Sequence, residues 1–533
     1  MTRAETPYAP HALIGILLVA LLLAIRLPSL VEPAGADQGL YAYVGQRINL
    51  GDVAYRDAWD QKPPAVHFIY SALWRAWPHE SVVAAADLIA AGAVAWLLIV
   101  LGRRTFGSQV GVAAACVFLL LGNPALQRLG GVRVRAQCET FIALAVTAAL
   151  VLAAGRGRRA IHWLAAGSLA ALAFWLKYNA GIYVIPILAM GMIAGTPDLK
   201  VRGSMYKPIP WIAGGFAAVS AIFLSYFAAH GALHDLRLAT VDYNLQYSAE
   251  TYAEGFRSVV DYVMFPIQRA KLELIWYLGG LGTLALILCR RREASTWIAV
   301  AWMAAACVSI AVNGARNLPQ YFLQAHPALA LAAAAGLWPL VRRPTGTIVR
   351  AAVAIVLMAG LWRVGDEPAA IRFGGLPEIV RNAAFDLQYA RGRVARRAFL
   401  SRFQQQSDAK YVPVSAEDLT AHVRRTTGPG DRIFVFGLAA NVYVNAERQS
   451  ASRFFWSWPV MVEFGRGRPG YGSAGLLEDL QQSSPALVAL QKHWGDPGPL
   501  RFFMNNAGLR SWLMTGYVLD QEIGDFVVWR RRS

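Results

Sequence analysis

The feature that most constrains this chain is its run of long apolar blocks, each nearly free of charge. They fall near 11–28, 84–101, 109–122, 138–154, 161–176, 180–195, 209–229, 271–289, 296–312, 319–341 and 347–363. A helix needs ~20 apolar residues to cross a bilayer, and in lipid a helix can satisfy its own backbone. The blocks therefore predict about eleven transmembrane helices. The rest of the composition agrees: 56% of residues are hydrophobic and only 16% charged, where soluble domains carry about a quarter. From about Arg363 the apolar runs shorten and charges interleave. Asp431–Gly437, after a Gly-Pro-Gly turn, reads as a buried strand, and 486–490 and 526–529 read as two more. Helical patterns lie between them. The expected fold is a polytopic α-helical membrane protein with a small α/β C-terminal domain outside the cytoplasm. The expected domains are 1–363 and 364–533.

Charge placement orients the chain. The formal net charge is +18, which on a soluble protein would suggest nucleic acid. Here much of it sits in short connections: Arg103-Arg104; Arg156, Arg158 and Arg159; Lys200, Arg202 and Lys207; Arg290-Arg291-Arg292; Arg342-Arg343. With eleven spans all five fall on one side, which the positive-inside rule makes cytoplasmic. No nucleic-acid partner is expected. The N-terminus is then inside and the tail outside. Residues 13–25 resemble a signal-peptide core, yet Ala34-Gly35-Ala36 lies well beyond it, so a retained first span is expected. Cys116, Cys138, Cys289 and Cys307 lie in or beside apolar blocks without CxxC spacing, so neither a disulfide framework nor a thiolate metal site is expected.

The outer side carries two long loops, 29–83 and 230–270. Stretches near 38–50 and 64–77 are amphipathic and suited to the interface plane, as are Trp59, Trp74 and Trp77. Ionisable residues at such depth are functional candidates by default. The outer positions gather Asp37-Gln38-Gly39, Asp57, Asp60, Gln61 and Lys62, then Arg133, Arg135, Gln137 and Glu139. They continue with Lys177-Tyr178-Asn179, then Arg316, Asn317, Gln320, Tyr321 and His326. As plain structural residues, Lys62 would snorkel to headgroups and Glu139 would pair with Arg133 or Arg135.

Over about 1–345 these motifs resemble the C-type membrane glycosyltransferases that use polyprenyl-phosphate sugars. That superfamily includes protein O-mannosyltransferases and lipid A aminoarabinose transferases. Asp37-Gln38 is similar to their acidic pair after the first span. Asp57-Ala-Trp-Asp-Gln-Lys-Pro-Pro64 is similar to their first-loop motif, Arg135-Ala-Gln-Cys-Glu139 to their second acidic site, and Pro319–Pro327 to a late-span pattern. Two positions depart from the family: Gln38 stands where the mannosyltransferases tend to have Glu, and Gln61 where the aminoarabinose transferases have a metal-holding Glu. A neutral amide is a poor ligand for a divalent cation, so no metal or other cofactor is expected.

The resemblance implies a transferase of the bacterial inner (plasma) membrane. It would move a sugar from a polyprenyl-phosphate donor to a glycan, lipid or protein acceptor hydroxyl at the outer face, with membrane lipids as its surroundings. Such a reaction needs a general base for the hydroxyl and fixed positive charge for the departing phosphate. Asp37 is the candidate base and Glu139 a second catalytic candidate. Lys62 leads the phosphate candidates, ahead of Arg135, Lys177 and Arg316. Gln38, Asp60, Arg133 and Tyr321 complete the expected substrate-binding set. Direct displacement would invert the anomeric centre. A lipid-sugar flippase and a non-catalytic envelope scaffold are the alternatives. Neither repeated broken helices nor charge at mid-span favours the first, and the second leaves Asp37, Lys62 and Glu139 unexplained.

Overall fold

The computed structural model describes residues 9–155, 159–194, 207–249, 255–342, 376–404 and 411–532. The expected span at 347–363 and the expected domain boundary at 363/364 lie outside them. So do Arg156, Arg158, Lys200, Arg202 and Arg343.

The described chain is mostly helical, and the apolar blocks become its helices. Four are long and apolar enough to cross a membrane: Leu13–Val31, Ser81–Thr105, Pro208–Ala229 and Ala294–Val312. A fifth is possible if Val259–Leu272 and Leu274–Arg290, bent by 118°, count as one broken span. Ser108–Leu121, Cys138–Ala153, Ala160–Leu176 and Tyr178–Ile193 are apolar but shorter. By length and composition, four or five helices thus meet the criterion among the described residues.

The chain divides into two compact units. The first comprises Met1–Glu32, Val83–Ala221 and Thr251–Arg391; the second comprises Pro33–Val82, Ile222–Glu250 and Gly392–Ser533. In the first, small residues let helices approach closely, the usual device where lipid removes the hydrophobic drive between helices. A Cβ on Gly282 would sit 2.2 Å from the Ala332 carbonyl oxygen, and one on Gly336 would sit 2.1 Å from that of Gly282. Helix Val259–Leu272 starts with a capping box, in which Ser258 accepts from the Asp261 amide and Asp261 answers the Ser258 backbone. That exchange satisfies donors every helix start leaves open.

In the second unit, helices Ala36–Asn49 and Ala65–Ala76 pack so closely that a Cβ on Gly45 would meet the Ser71 nitrogen at 2.6 Å. They cover the two stretches, near 38–50 and 64–77, that the sequence marks as amphipathic. The same unit holds a five-stranded sheet. Its strands are β1 (Arg432–Phe436), β2 (Gln449–Ser450), β3 (Leu487–Gln491), β4 (Tyr517–Ile523) and β5 (Phe526–Arg531). The order is β2-β1-β3-β5-β4. β1 pairs in parallel with β2 and β3, whereas β5 runs antiparallel to β3 and β4. Every residue of β3 is buried, which is why a continuous apolar run marks a central strand. The three expected strands are β1, β3 and β5. β2 is only two residues long, and β4 sits at the edge with mostly exposed side chains, so neither has a legible apolar pattern.

Candidate functional site

In the second unit, Asp37 occupies the first turn of helix Ala36–Asn49 and is half-buried, beside the fully buried Gln38. A carboxylate there gains from the helix dipole and from backbone N–H groups with no partner inside the helix. The loop that follows is fixed at one point by Trp59. Its ring is fully buried and lies 4.8 Å from Tyr243, 5.9 Å from Phe454, 6.2 Å from Trp456 and 5.8 Å from Phe464. The Trp59 amide donates to the Arg453 carbonyl at 2.9 Å, and Trp456 Nε1 donates to the Trp59 carbonyl at 3.2 Å. This anchor places the next three residues.

Asp60 is 1% exposed, and its Oδ1 accepts the Gln61 amide at 2.7 Å. Lys62 is half-buried, and its carbonyl accepts the Tyr55 hydroxyl at 2.8 Å. Asn244 Nδ2 donates to the Gln61 carbonyl at 2.8 Å. Burial pushes the Asp60 carboxyl up to about 6; the charge of Asp37 acts in the same direction, while Lys62 and the Gln61 and Lys62 amides oppose it. Asp37, Asp60 and Lys62 thus share one electrostatic neighbourhood. Pro63 and Pro64 close the loop and lead into helix Ala65–Ala76. That helix brings in His67, which sequence reasoning missed: its Nε2 lies 3.4 Å from Asp60 Oδ2, and both side chains are at most 1% exposed. Burial drives the imidazole down to about 3.

In the first unit, Glu139 sits in the first turn of helix Cys138–Ala153 and is 1% exposed. Its partner is Lys177, at the break after helix Ala160–Leu176. Glu139 therefore pairs across 38 residues of sequence. Lys177 Nζ also lies 3.9 Å from the centre of the Tyr321 ring, a cation–π contact. Arg316 is buried in the turn Gly314–Arg316, just before Asn317 in a left-handed conformation. Arg133 is half-buried, and its carbonyl accepts Gln137 Nε2 at 2.8 Å.

Arg135 has a different setting from its neighbours. Its guanidinium donates to both oxygens of Glu32, from Nε at 2.6 Å and Nη2 at 3.0 Å. Asp87 lies 3.7 Å from its Nη1 and is itself bonded to Arg26. All four side chains are nearly inaccessible. A second buried cluster surrounds the break at Glu273, which contacts Arg269, accepts Gln127 Nε2 at 3.0 Å and lies 3.6 Å from His326 Nε2. The sequence carried one usable signal for these partners: Asp87 is a carboxylate inside an apolar block, a costly placement. Among the described residues, no group of three or more His, Cys, Asp or Glu is arranged to hold a metal ion.

Residues 61–226 match the family model described as dolichyl-phosphate-mannose-protein mannosyltransferase. The fold is similar to the crystal structure of ArnT from Cupriavidus metallidurans bound to undecaprenyl phosphate, at 14% identity and a TM-score of 0.59. The same protein in its apo state gives 14% identity and a TM-score of 0.58. Each comparison covers 98% of this chain and 98% of the other. No curated protein matches the sequence at a significant level.

Proposed function

We propose that this membrane glycosyltransferase of the C-type fold moves a sugar from a polyprenyl-phosphate carrier to an acceptor hydroxyl, inverting the anomeric centre. The observation that carries the reading is the grouping of Asp37, Asp60 and Lys62 within one unit, on a helix start and an anchored loop. The acceptor hydroxyl attacks the anomeric carbon, its proton passes to Asp37, and the bond to the lipid phosphate breaks. An ionised carboxylate is useful as a base only within hydrogen-bond reach of the hydroxyl. The first turn of a helix holds Asp37 in a defined position for that task. Lys62 meets the phosphate as its charge grows, where a preplaced cation lowers the barrier.

The remaining assignments are part of the same proposal. Gln38, whose amide cannot act as a base, orients groups near Asp37. Glu139 is held by Lys177 and serves acceptor positioning, while Arg133, Lys177, Arg316 and Tyr321 contribute to substrate binding. Arg135, clamped by Glu32, serves mainly to brace its segment. The reaction is placed at the outer face of a bacterial inner membrane, with about eleven spans and residues 364–533 outside the cytoplasm. The similar ArnT structure contains undecaprenyl phosphate, which supports a polyprenyl-phosphate donor. Purified protein given a labelled polyprenyl-phosphate sugar tests the reading. Asp37→Asn is expected to abolish most transfer, and Lys62→Ala to raise the donor KM. Unchanged transfer by both variants would overturn it.

A further inference from the structure

Asp60 and His67 face each other in a way the transfer chemistry above does not use. Asp60 Oδ1 is engaged by the Gln61 amide, but Oδ2 has no hydrogen-bond partner, and neither ring nitrogen of His67 has one of good geometry. The two groups lie 3.4 Å apart and are sealed from solvent. Buried polar atoms left without partners are costly, at ~1–3 kcal/mol each. A single proton placed between them converts the contact into an O–H···N hydrogen bond. The surroundings decide which group carries it. His67 is enclosed edge-on by Tyr41, with ring centres 6.1 Å apart, and by Tyr55 at 5.9 Å. Burial away from water, with the charge of Lys62 acting in the same direction, disfavours an imidazolium. Asp60 senses Asp37 from helix Ala36–Asn49 and Lys62 from its own loop. Among the described residues, the charged and titratable groups that face the pair include Asp37, Lys62, Tyr41 and Tyr55.

We propose that Asp60 and His67 form a positioning pair for Lys62, in which a proton held on Asp60 and donated to His67 removes the negative charge beside the lysine and so strengthens its hold on the donor phosphate. The inference rests on Lys62 being the phosphate ligand. The proton comes from solvent, and no covalent bond is made or broken. When Asp60 is ionised, its carboxylate competes with the phosphate for Lys62 and repels the incoming anion. When Asp60 is neutral, both effects vanish, while the Asp60 Oδ1 bond to the Gln61 amide still shapes the turn that presents Lys62. Burial sets the Asp60 transition at about pH 6, within reach of an ordinary titration. His67 stays neutral throughout, because its own transition lies near 3.

The experiment measures the pH dependence of binding of the methyl ester of undecaprenyl phosphate, a phosphodiester like the donor whose single charge does not change between pH 7.5 and 5, to the full-length protein in detergent. In the wild type, the apparent Kd should fall by ~3- to 10-fold from pH 7.5 to 5, the range set by a coupling of up to one pKa unit. Asp60→Asn mimics the protonated acid and should bind tightly with no step over that interval. His67→Gln, which can still accept or donate, should retain the step at a shifted pH. Lys62→Ala should bind weakly and without the step. A step that persists in Asp60→Asn overturns the proposal. So does a flat wild-type profile in a protein whose Lys62→Ala variant loses affinity. If Lys62→Ala binds as well as wild type, the phosphate assignment itself fails. Should Asp60→Asn not fold, the wild type alone decides: its infrared difference spectrum between pH 7.5 and 5 must show a buried carboxylic acid band that changes in His67→Gln. An unaltered band excludes the pair.

Discussion

Replacing Glu32 with Gln tests whether Arg135 is a brace or a substrate ligand. The Glu32–Arg135 pair is bidentate, with bonds of 2.6 and 3.0 Å, and the two side chains are 1% and 3% exposed. Removing one member of such a pair leaves a buried charge uncompensated, at a cost of about 3–5 kcal/mol. Asp87, 3.7 Å from the Arg135 Nη1, retains part of the compensation, so the lower end applies, about 3 kcal/mol. At ~2–4 °C per kcal/mol, Tm should drop on the order of 5–10 °C, read by tryptophan fluorescence in detergent. Arg135→Gln should cost about as much, and the double variant less than the sum of the two. The coupling in that cycle should exceed ~1 kcal/mol. A donor KM that is unchanged in Arg135→Gln completes the case for a brace. If Glu32→Gln shifts Tm by less than ~1 °C, or the two effects add, the pair does not carry the energy its geometry implies.

Further predictions concern charge and topology. Lys62→Ala should raise the donor KM several-fold with Tm preserved, measured by steady-state transfer over a donor series. Asp60 has its acid form favoured in the folded state, so its contribution to stability is full below about pH 4, is lost as pH rises through about 6, and amounts to roughly 3 kcal/mol. The stability of wild type minus that of Asp60→Asn, followed by denaturant unfolding, should therefore decline from pH 4 to 6 and level off above; a rising difference would reverse the sign of the argument. Lys177→Met leaves the Glu139 carboxylate buried without its cation and should lower Tm by several degrees, whereas Glu139→Gln/Lys177→Met should recover part of the loss. A reporter fused after Ser533 should be active only outside the cytoplasm.

The sequence exposed the helices better than their breaks. The expected block 138–154 is helix Cys138–Ala153, and 161–176 is Ala160–Leu176, because each apolar run is bounded by residues that lipid excludes. The block 271–289 concealed a break at Glu273. The helix before that break, Val259–Leu272, fell almost wholly in the expected outer loop 230–270; it contains Asp261, Pro266, Arg269 and Lys271 and reads as loop when viewed without its partners. The block 319–341 begins as a tight turn, Pro319–Ala325, and becomes an α-helix only at His326. Both breaks are stabilised by contacts distant in sequence, such as Gln127 with Glu273, so no local pattern encodes them.

The same division applies to the candidate site. Asp37, Asp60 and Lys62 were legible because polar residues next to apolar anchors stand out against their surroundings. Their partners were not. Glu32 reaches Arg135 across 103 residues and Lys177 reaches Glu139 across 38. His67 fell in the amphipathic stretch near 64–77, which is helix Ala65–Ala76, yet nothing in its spacing directed it toward Asp60. Which charge faces which is settled by tertiary packing, and a single sequence contains the charges but not the pairing.

The most direct test of the central claim is the release of free polyprenyl phosphate. Purified wild-type protein and Asp37→Asn, both reconstituted in vesicles, would be given the labelled lipid-phosphate sugars extracted from membranes of the source cell, together with extracted envelope acceptors. The wild type should convert donor to free polyprenyl phosphate and place the label on an acceptor with inverted anomeric configuration. Asp37→Asn should do so at least ~100-fold more slowly, as expected on losing a general base. Equal rates in the two proteins would remove Asp37 as the base, and no release by the wild type from the whole donor pool would contradict the assignment of a polyprenyl-phosphate sugar transferase.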